Sequence, residues 1–244
     1  MQIIENTGHK ALQSMSLAYS FNKWMYETIR PYTNGQILEI GSGIGNISGF
    51  FLNDGLEITI SDTDVNYISF LQKEFPQLDN ESKILSIDLQ KENFQHYYSG
   101  LLQKFDTVFL LNVLEHLADD AYAIQNCNAL LKNGGTLIIL VPAYSFLFSP
   151  MDRALYHYRR YTAKQLMTKI GNENFKIEKS FYFNALGIPA WLYGKVMKYK
   201  APPAGNMKFF DKLVPAGKII DKILFNKIGL SAIVIARKTG HKEN

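Results

Sequence analysis

Residues 37–48 read ILEIGSGIGNIS, with glycines at 41, 43 and 45 directly after an apolar run that carries Glu39. Glycine takes positive φ and has no Cβ, so such a turn can bend sharply and let a ligand come close to the backbone. Asp62 follows Gly41 by 21 positions, the spacing at which a carboxylate ending a second strand meets the hydroxyls of a ribose. The dinucleotide pattern G-x-G-x-x-G would need a glycine at Asn46, so the seat for a pyrophosphate on the helix N-terminus is missing. No Lys or Arg lies between Gly35 and Thr63, which favours a positively charged nucleoside over a phosphorylated one. A structural turn, with Asp62 and Asp88 capping helices, is the competing reading.

Proton transfer draws attention to the five histidines. His9 and His241 near the termini and His96 in a polar connection read as solvent-exposed. His116 stands beside Glu115 in NVLEHLADD, and His157 lies in DRALYHYRRYT. Glu115 and His116, with Asp119 in reach, fall short of a closed metal site, so no metal is expected. The alternative is a metal-assisted enzyme that uses Glu115 and His116. Arg159 and Arg160 can grip a carboxylate or phosphate through their planar forks, or one of them can pair with Asp152 while the tyrosines pack.

These residues need a frame. Residues 36–41, 56–62, 82–88 and 105–112 read as buried parallel strands, and 136–143 as a fifth that follows the turn signal KNGG. Helical patterns lie at 46–53, 64–75, more weakly at 94–104, and at 119–131; residues 231–237 close the sheet. Strands alternating with helices mean an α/β, doubly wound, mostly parallel sheet. The division expected is a helical cover over 1–30, a cofactor-binding core over 31–185, a basic amphipathic insertion over 186–229, and a final strand and tail over 230–244.

LEIGSGIGNIS, SDTD, SIDL, FLLNVLEHL and KNGGTLIILVPA, in that order, resemble the class I S-adenosylmethionine-dependent methyltransferases over roughly residues 30–180. The resemblance implies a seven-stranded Rossmann-like sheet with S-adenosylmethionine as cofactor. It places Glu39, Gly41, Ser42, Gly43 and Gly45 at the methionine end and Asp62, with Thr63, at the ribose. Asp88 and the Leu89 backbone would meet the adenine edge, and Asn112 would lie near the transferred methyl. The stretch around His157 resembles the GH-x-RRY-[ST] pattern of a bacterial subgroup, with Tyr156 replacing its glycine. That insertion follows the fifth strand, where acceptors usually bind. It implies His157 and His116 as catalytic candidates, with Tyr144, Arg159, Arg160 and Tyr161 on the acceptor. The acceptor is expected to be a small or lipid-like molecule methylated on oxygen or nitrogen. A nicotinamide oxidoreductase and a non-catalytic binding module are the competing classes.

Bulk composition adds limits. The net charge of +4 is too small to argue for nucleic acid, and the single cysteine, Cys127, excludes an internal disulfide and fits a reducing compartment. No secretory leader is expected, and apolar runs are well short of the ~20 residues that span a bilayer, so a cytoplasmic protein is expected. Residues 186–229 hold eight lysines against Asp211 and Asp221, a net charge of +6 interleaved with Trp191, Phe209 and Phe210. The segment reads either as a surface for peripheral membrane contact or as a lid with its lysines in water.

Overall fold

The computed structural model describes residues 7–78, 83–201 and 203–240. Its frame is a seven-stranded sheet of order β3-β2-β1-β4-β5-β7-β6, built from β1 Ile37–Ile40, β2 Ile58–Asp62, β3 Ile84–Ser86, β4 Phe105–Leu111, β5 Leu131–Pro142, β6 Phe175–Phe183 and β7 Ser231–Lys238. The first five strands are parallel, while β7 runs antiparallel to both β5 and β6. Strands covered on both faces should be continuously apolar. Leu137 to Val141 meets that demand, each residue at most 1% exposed.

Helices α3 Ser48–Asn53, α4 Val65–Glu74, α5 Phe94–Tyr97, α6 Asp120–Leu130 and α8 Ala163–Asn172 alternate with the strands. Asp64 caps α4 through the Asn66 N–H at 2.8 Å, and Asp119 caps α6 through the Tyr122 N–H at 2.9 Å. The expected helix at 94–104 is one short helix followed by a 3₁₀ turn at Ser99–Leu101.

Two departures concern strands. KNGG does not precede β5 but lies inside it: Leu131 already pairs with Phe105, and a register shift beside Thr107 absorbs the extra residues. β6 was not marked by the sequence pattern, because KIEKS alternates charge with single apolar residues and only one edge of the strand is paired. Ser82, the expected start of the third strand, lies outside the described residues.

The N-terminal cover and the second half of the basic insertion form one layer. α1 Thr7–Ser16 and α2 Tyr19–Ile29 meet α10 Ala204–Lys212 and α11 Val214–Ile223. Asp211 accepts the Phe21 N–H at 2.8 Å, and Phe21 contacts Phe210 and Phe183 at ring distances of 5.6 and 5.8 Å. Asp221 is buried and accepts the backbone N–H groups of Asn184 and Ala185 at 2.6 and 2.8 Å, fixing α11 to the end of β6. α9 Gly187–Val196 instead packs on the turn at Ser145–Leu147, where the Trp191 indole donates to the Leu147 carbonyl at 3.0 Å.

Candidate functional site

The carboxyl ends of adjacent strands β3, β2, β1 and β4 bring the expected cofactor residues into one row. Gly41, Gly43 and Gly45 all take positive φ, at 73°, 56° and 80°. The glycines are not all bare toward a ligand. A Cβ at Gly41 would meet Val113 Cγ2 at 2.5 Å, and one at Gly45 would meet Phe75 Cε2 at 2.5 Å. Those two glycines therefore answer to turn geometry and to the chain's own packing. Gly43 faces Leu12 of α1, 3.1 Å from a would-be Cβ.

Acidic groups line this row. The buried Glu39 accepts the Ser48 hydroxyl, and burial pushes it up to about 7 against the opposing hydrogen bonds of Ser48 and Ser42. Asp62 accepts the Gly43 N–H at 2.8 Å and the Asp64 N–H at 3.0 Å, and burial raises it despite those bonds. Thr63 is exposed beside it. Asp88 accepts the Gln90 N–H at 2.8 Å, and Leu89 is buried with its carbonyl held by Asn126 at 2.9 Å. Asn112 is exposed at φ 56°, its N–H bound to the Leu140 carbonyl at 2.9 Å.

α1 is a part of the site that sequence reasoning missed. Its carbonyl at Leu12 receives Asn46 Nδ2 at 3.4 Å, and His9 is buried with its ring 6.0 Å from that of Tyr67. The expectation of an exposed His9 is corrected: burial of this face of α1 over the glycine loop takes the imidazole with it. His96 is exposed, and His241 lies outside the described residues.

The insertion after β5 centres on Asp152, in α7 Pro150–Ala154. Its carboxylate accepts the Ser149 N–H at 2.7 Å, the Ser149 hydroxyl at 2.9 Å and Arg160 Nε at 2.8 Å, and faces His157 Nδ1 at 3.0 Å. Burial alone would raise Asp152, but the His157 hydrogen bond and the Arg160 charge outweigh it and hold the acid below its usual range. An ionised carboxylate only accepts, so His157 carries a proton on Nδ1, and the neutral ring in that tautomer has its lone pair on Nε2.

Arg160 and Tyr161 do not reach toward an acceptor. Arg160 is buried, donates to the Ala143 carbonyl at 3.1 Å, and lies 4.4 Å from the Trp191 ring, while Tyr161 is 2% exposed with its hydroxyl on Asp120 at 2.9 Å. Arg159 spends its fork on Asp120 at 2.9 Å and the Ala118 carbonyl at 2.7 Å. The alternative in which an arginine pairs with Asp152 is what the geometry contains, and it removes these residues as free anion binders. Tyr144 remains half-buried, its ring stacked between Tyr182 at 5.0 Å and Phe146 at 5.5 Å; burial and Tyr182 push its hydroxyl up to about 12. Tyr156 has φ 60°, the left-handed region that the subgroup's glycine would take without strain.

Next to His157 lies a second group. The His116 and His157 rings meet edge-on at 4.5 Å, and one ligand atom each from Glu115, His116 and His157 fall within 4.8 Å of one another. Glu115 is fully buried, and neither carboxylate oxygen has a hydrogen-bond partner on another of the described residues. Burial pushes it up to about 8 and pushes His116 down to about 4, the latter with a contribution from His157. Asp119, the third ligand considered from sequence, caps α6 instead; His157 takes that place.

Residues 38–137 match the family described as "Methyltransferase domain". The chain is 21% identical over 198 residues to the ubiquinone biosynthesis O-methyltransferase of Actinobacillus pleuropneumoniae serotype 7, covering 72% of this chain and 82% of that one. It is 30% identical over 127 residues to the protein of that name from Histophilus somni, covering 49% of this chain and 51% of the relative, so it spans about half of the latter's length. Phosphoethanolamine N-methyltransferase 2 of Haemonchus contortus, solved with S-adenosyl-L-methionine, shares the fold: TM-score 0.59, 17% identity, 92% of this chain and 57% of that chain. Residues 38–137 are thus a methyltransferase domain by that match, set in a seven-stranded sheet of the fold that S-adenosylmethionine-dependent methyltransferases share.

The residues present fit that cofactor. A row of buried or half-buried acids, none of them in an ion pair among the described residues, suits a ligand carrying a sulfonium and an ammonium, and Glu39, Asp62 and Asp88 would hold it.

A pH dependence follows from Glu39. Its folded-state value lies above the ordinary carboxylate range, so the cofactor-free protein keeps that proton up to about pH 7. A bound ammonium favours the ionised form, so binding expels the proton and tightens as pH rises through that window. Calorimetry with S-adenosylhomocysteine should show affinity rising about tenfold from pH 5 to pH 8. Glu39→Gln should bind more weakly and lose the pH dependence; an unchanged slope in that variant would detach Glu39 from the cofactor.

Proposed function

We propose that the chain transfers a methyl group from S-adenosylmethionine to an oxygen or nitrogen of a small or lipid-like acceptor, with His157 removing the acceptor proton. The O-methyltransferase relatives favour oxygen. The observation that carries the reading is the Asp152–His157 pair, whose 3.0 Å contact fixes the imidazole and leaves Nε2 to accept a proton. Bound S-adenosylmethionine supplies a methyl group on a good leaving group, so alignment, exclusion of water and proton removal are the tasks left to the chain. His157 lies at the carboxyl ends of β4 and β5, where the Tyr158 N–H holds the Glu115 carbonyl at 2.8 Å, and β4 adjoins the strand that carries the glycine loop. Ligands of open α/β sheets bind along that edge. The stack of Tyr182, Tyr144 and Phe146, the last of them exposed, offers an aromatic wall against which a ring or isoprenoid-like acceptor could lie.

If His157 is the base, His157→Ala should cut turnover by roughly 10²–10⁴ with little change in cofactor affinity. The acidic limb of the pH–rate profile should disappear with it. Near-normal turnover would reduce His157 to packing.

A second reading rests on the unpartnered Glu115 carboxylate. Glu115, His116 and His157 would together hold a divalent cation, with Asp152 orienting His157 from behind. The His157 lone pair would then serve the cation and not a proton. Activity is expected to survive exhaustive chelation. Loss of activity that added divalent metal restores would establish the second reading in its place.

A further inference from the structure

Helices in a water-soluble layer normally turn polar residues outward. The insertion over 186–229 turns large apolar residues outward among its lysines. Nine of the sixteen large apolar side chains exposed among the described residues belong to it, including Val196, Phe209, Ile219, Ile223 and Phe225, each at least 61% exposed. On α9 the exposed residues Pro189, Leu192, Tyr193 and Val196 recur at helical spacing and form one uncharged outward face. On α11 the inner face carries the buried Val214, Gly217 and Asp221, while Pro215, Ile219, Lys222 and Ile223 fall together on the outer one.

The segment's own exposed charge is basic. The segment's two acids are spent inward, Asp211 on the Phe21 N–H and Asp221 on the backbone of Asn184 and Ala185. Of the eight lysines, Lys195 bonds the Phe146 carbonyl and Lys218 pairs with Glu27. The other six, including Lys208, Lys212, Lys222 and Lys227, have no ion pair among the described residues.

We propose that the outward faces of α9, α10 and α11 form a docking surface for an anionic lipid bilayer, with the apolar side chains entering the interface and the lysines meeting the headgroups. Helices of nine or ten residues lie in such an interface, and no described helix is long and apolar enough to cross it. The segment's own core is already satisfied by the opposite helix faces, through Trp191, Val214 and Gly217. A second copy is disfavoured by charge, because a two-fold contact here would set a net +6 against another +6. The proposal does not depend on the methyl-transfer reading, though a membrane-bound acceptor would give the two a common purpose.

Vesicle co-sedimentation without cofactor tests it. The protein should pellet with phosphatidylglycerol-containing vesicles in about 0.1 M salt and be released at about 1 M, where the Debye length falls from about 10 Å to about 3 Å. Binding to pure phosphatidylcholine vesicles should be at least about tenfold weaker. Ile219→Glu with Ile223→Glu, and separately Lys208→Gln with Lys212→Gln and Lys222→Gln, should each weaken binding about tenfold or more. Both variants change exposed side chains only, so their thermal unfolding should match the parent. Failure of the parent to bind phosphatidylglycerol vesicles, equal binding to neutral vesicles, or a dimer in sedimentation velocity that Ile219→Glu dissociates would overturn the proposal. Turnover on an acceptor is read separately, so failure here leaves the catalytic reading intact.

Discussion

The loop that follows β5 depends on one carboxylate. Asp152 has no exposed surface and would not stay charged there without Arg160, His157 and two bonds from Ser149. Breaking such a buried pair by removing one partner typically costs 3–5 kcal/mol, because the other charge is stranded. The same pair sets the path of residues 149–161: it starts α7 with a capping box, fixes the His157 ring, and directs Arg160 onto the Ala143 carbonyl and the Trp191 face. Through Trp191 it reaches α9. A short insertion without a sheet or long helix of its own is thereby made rigid enough to present one histidine.

The row of Glu39, Asp62 and Asp88 solves a different problem, holding acids that form no ion pair among the described residues. Glu39 leans on serine hydroxyls, and Asp62 on backbone N–H groups of the loop it faces. Such a site is under electrostatic tension when empty, and a cationic ligand relieves it. The loop after β5 pairs its acid with arginine and needs no ligand to be stable. The division of labour along the sheet edge is therefore visible in where the positive charge lies.

The cofactor half was legible in the sequence because each demand is local: a buried strand, a glycine turn, an acid at the next strand end. The acceptor half was not, because its partners are set by folding back of the chain. Arg159 and Arg160 are adjacent yet serve Asp120 and Asp152 respectively, and no spacing rule distinguishes an arginine that greets a ligand from one that anchors a loop. His157 joins Glu115 and His116 across some forty residues, a proximity created by the parallel pairing of β4 and β5. β6 escaped notice because an edge strand with one half-exposed face lacks the continuous apolar run of the central strands. α1 was readable as a helix, but its burial over Gly43 depends on tertiary contact alone.

The central claim is that a cofactor's methyl group leaves this site on an oxygen or nitrogen of a second molecule. Incubating the protein with methyl-labelled S-adenosylmethionine and a solvent extract of its source cells tests that claim directly. The account predicts label in a new oxygen- or nitrogen-linked methyl product, recovered in the organic phase for a lipid-like acceptor, and absent with His157→Ala. Tight binding of S-adenosylhomocysteine with no label transferred to any fraction would make the chain a cofactor-binding module and contradict it.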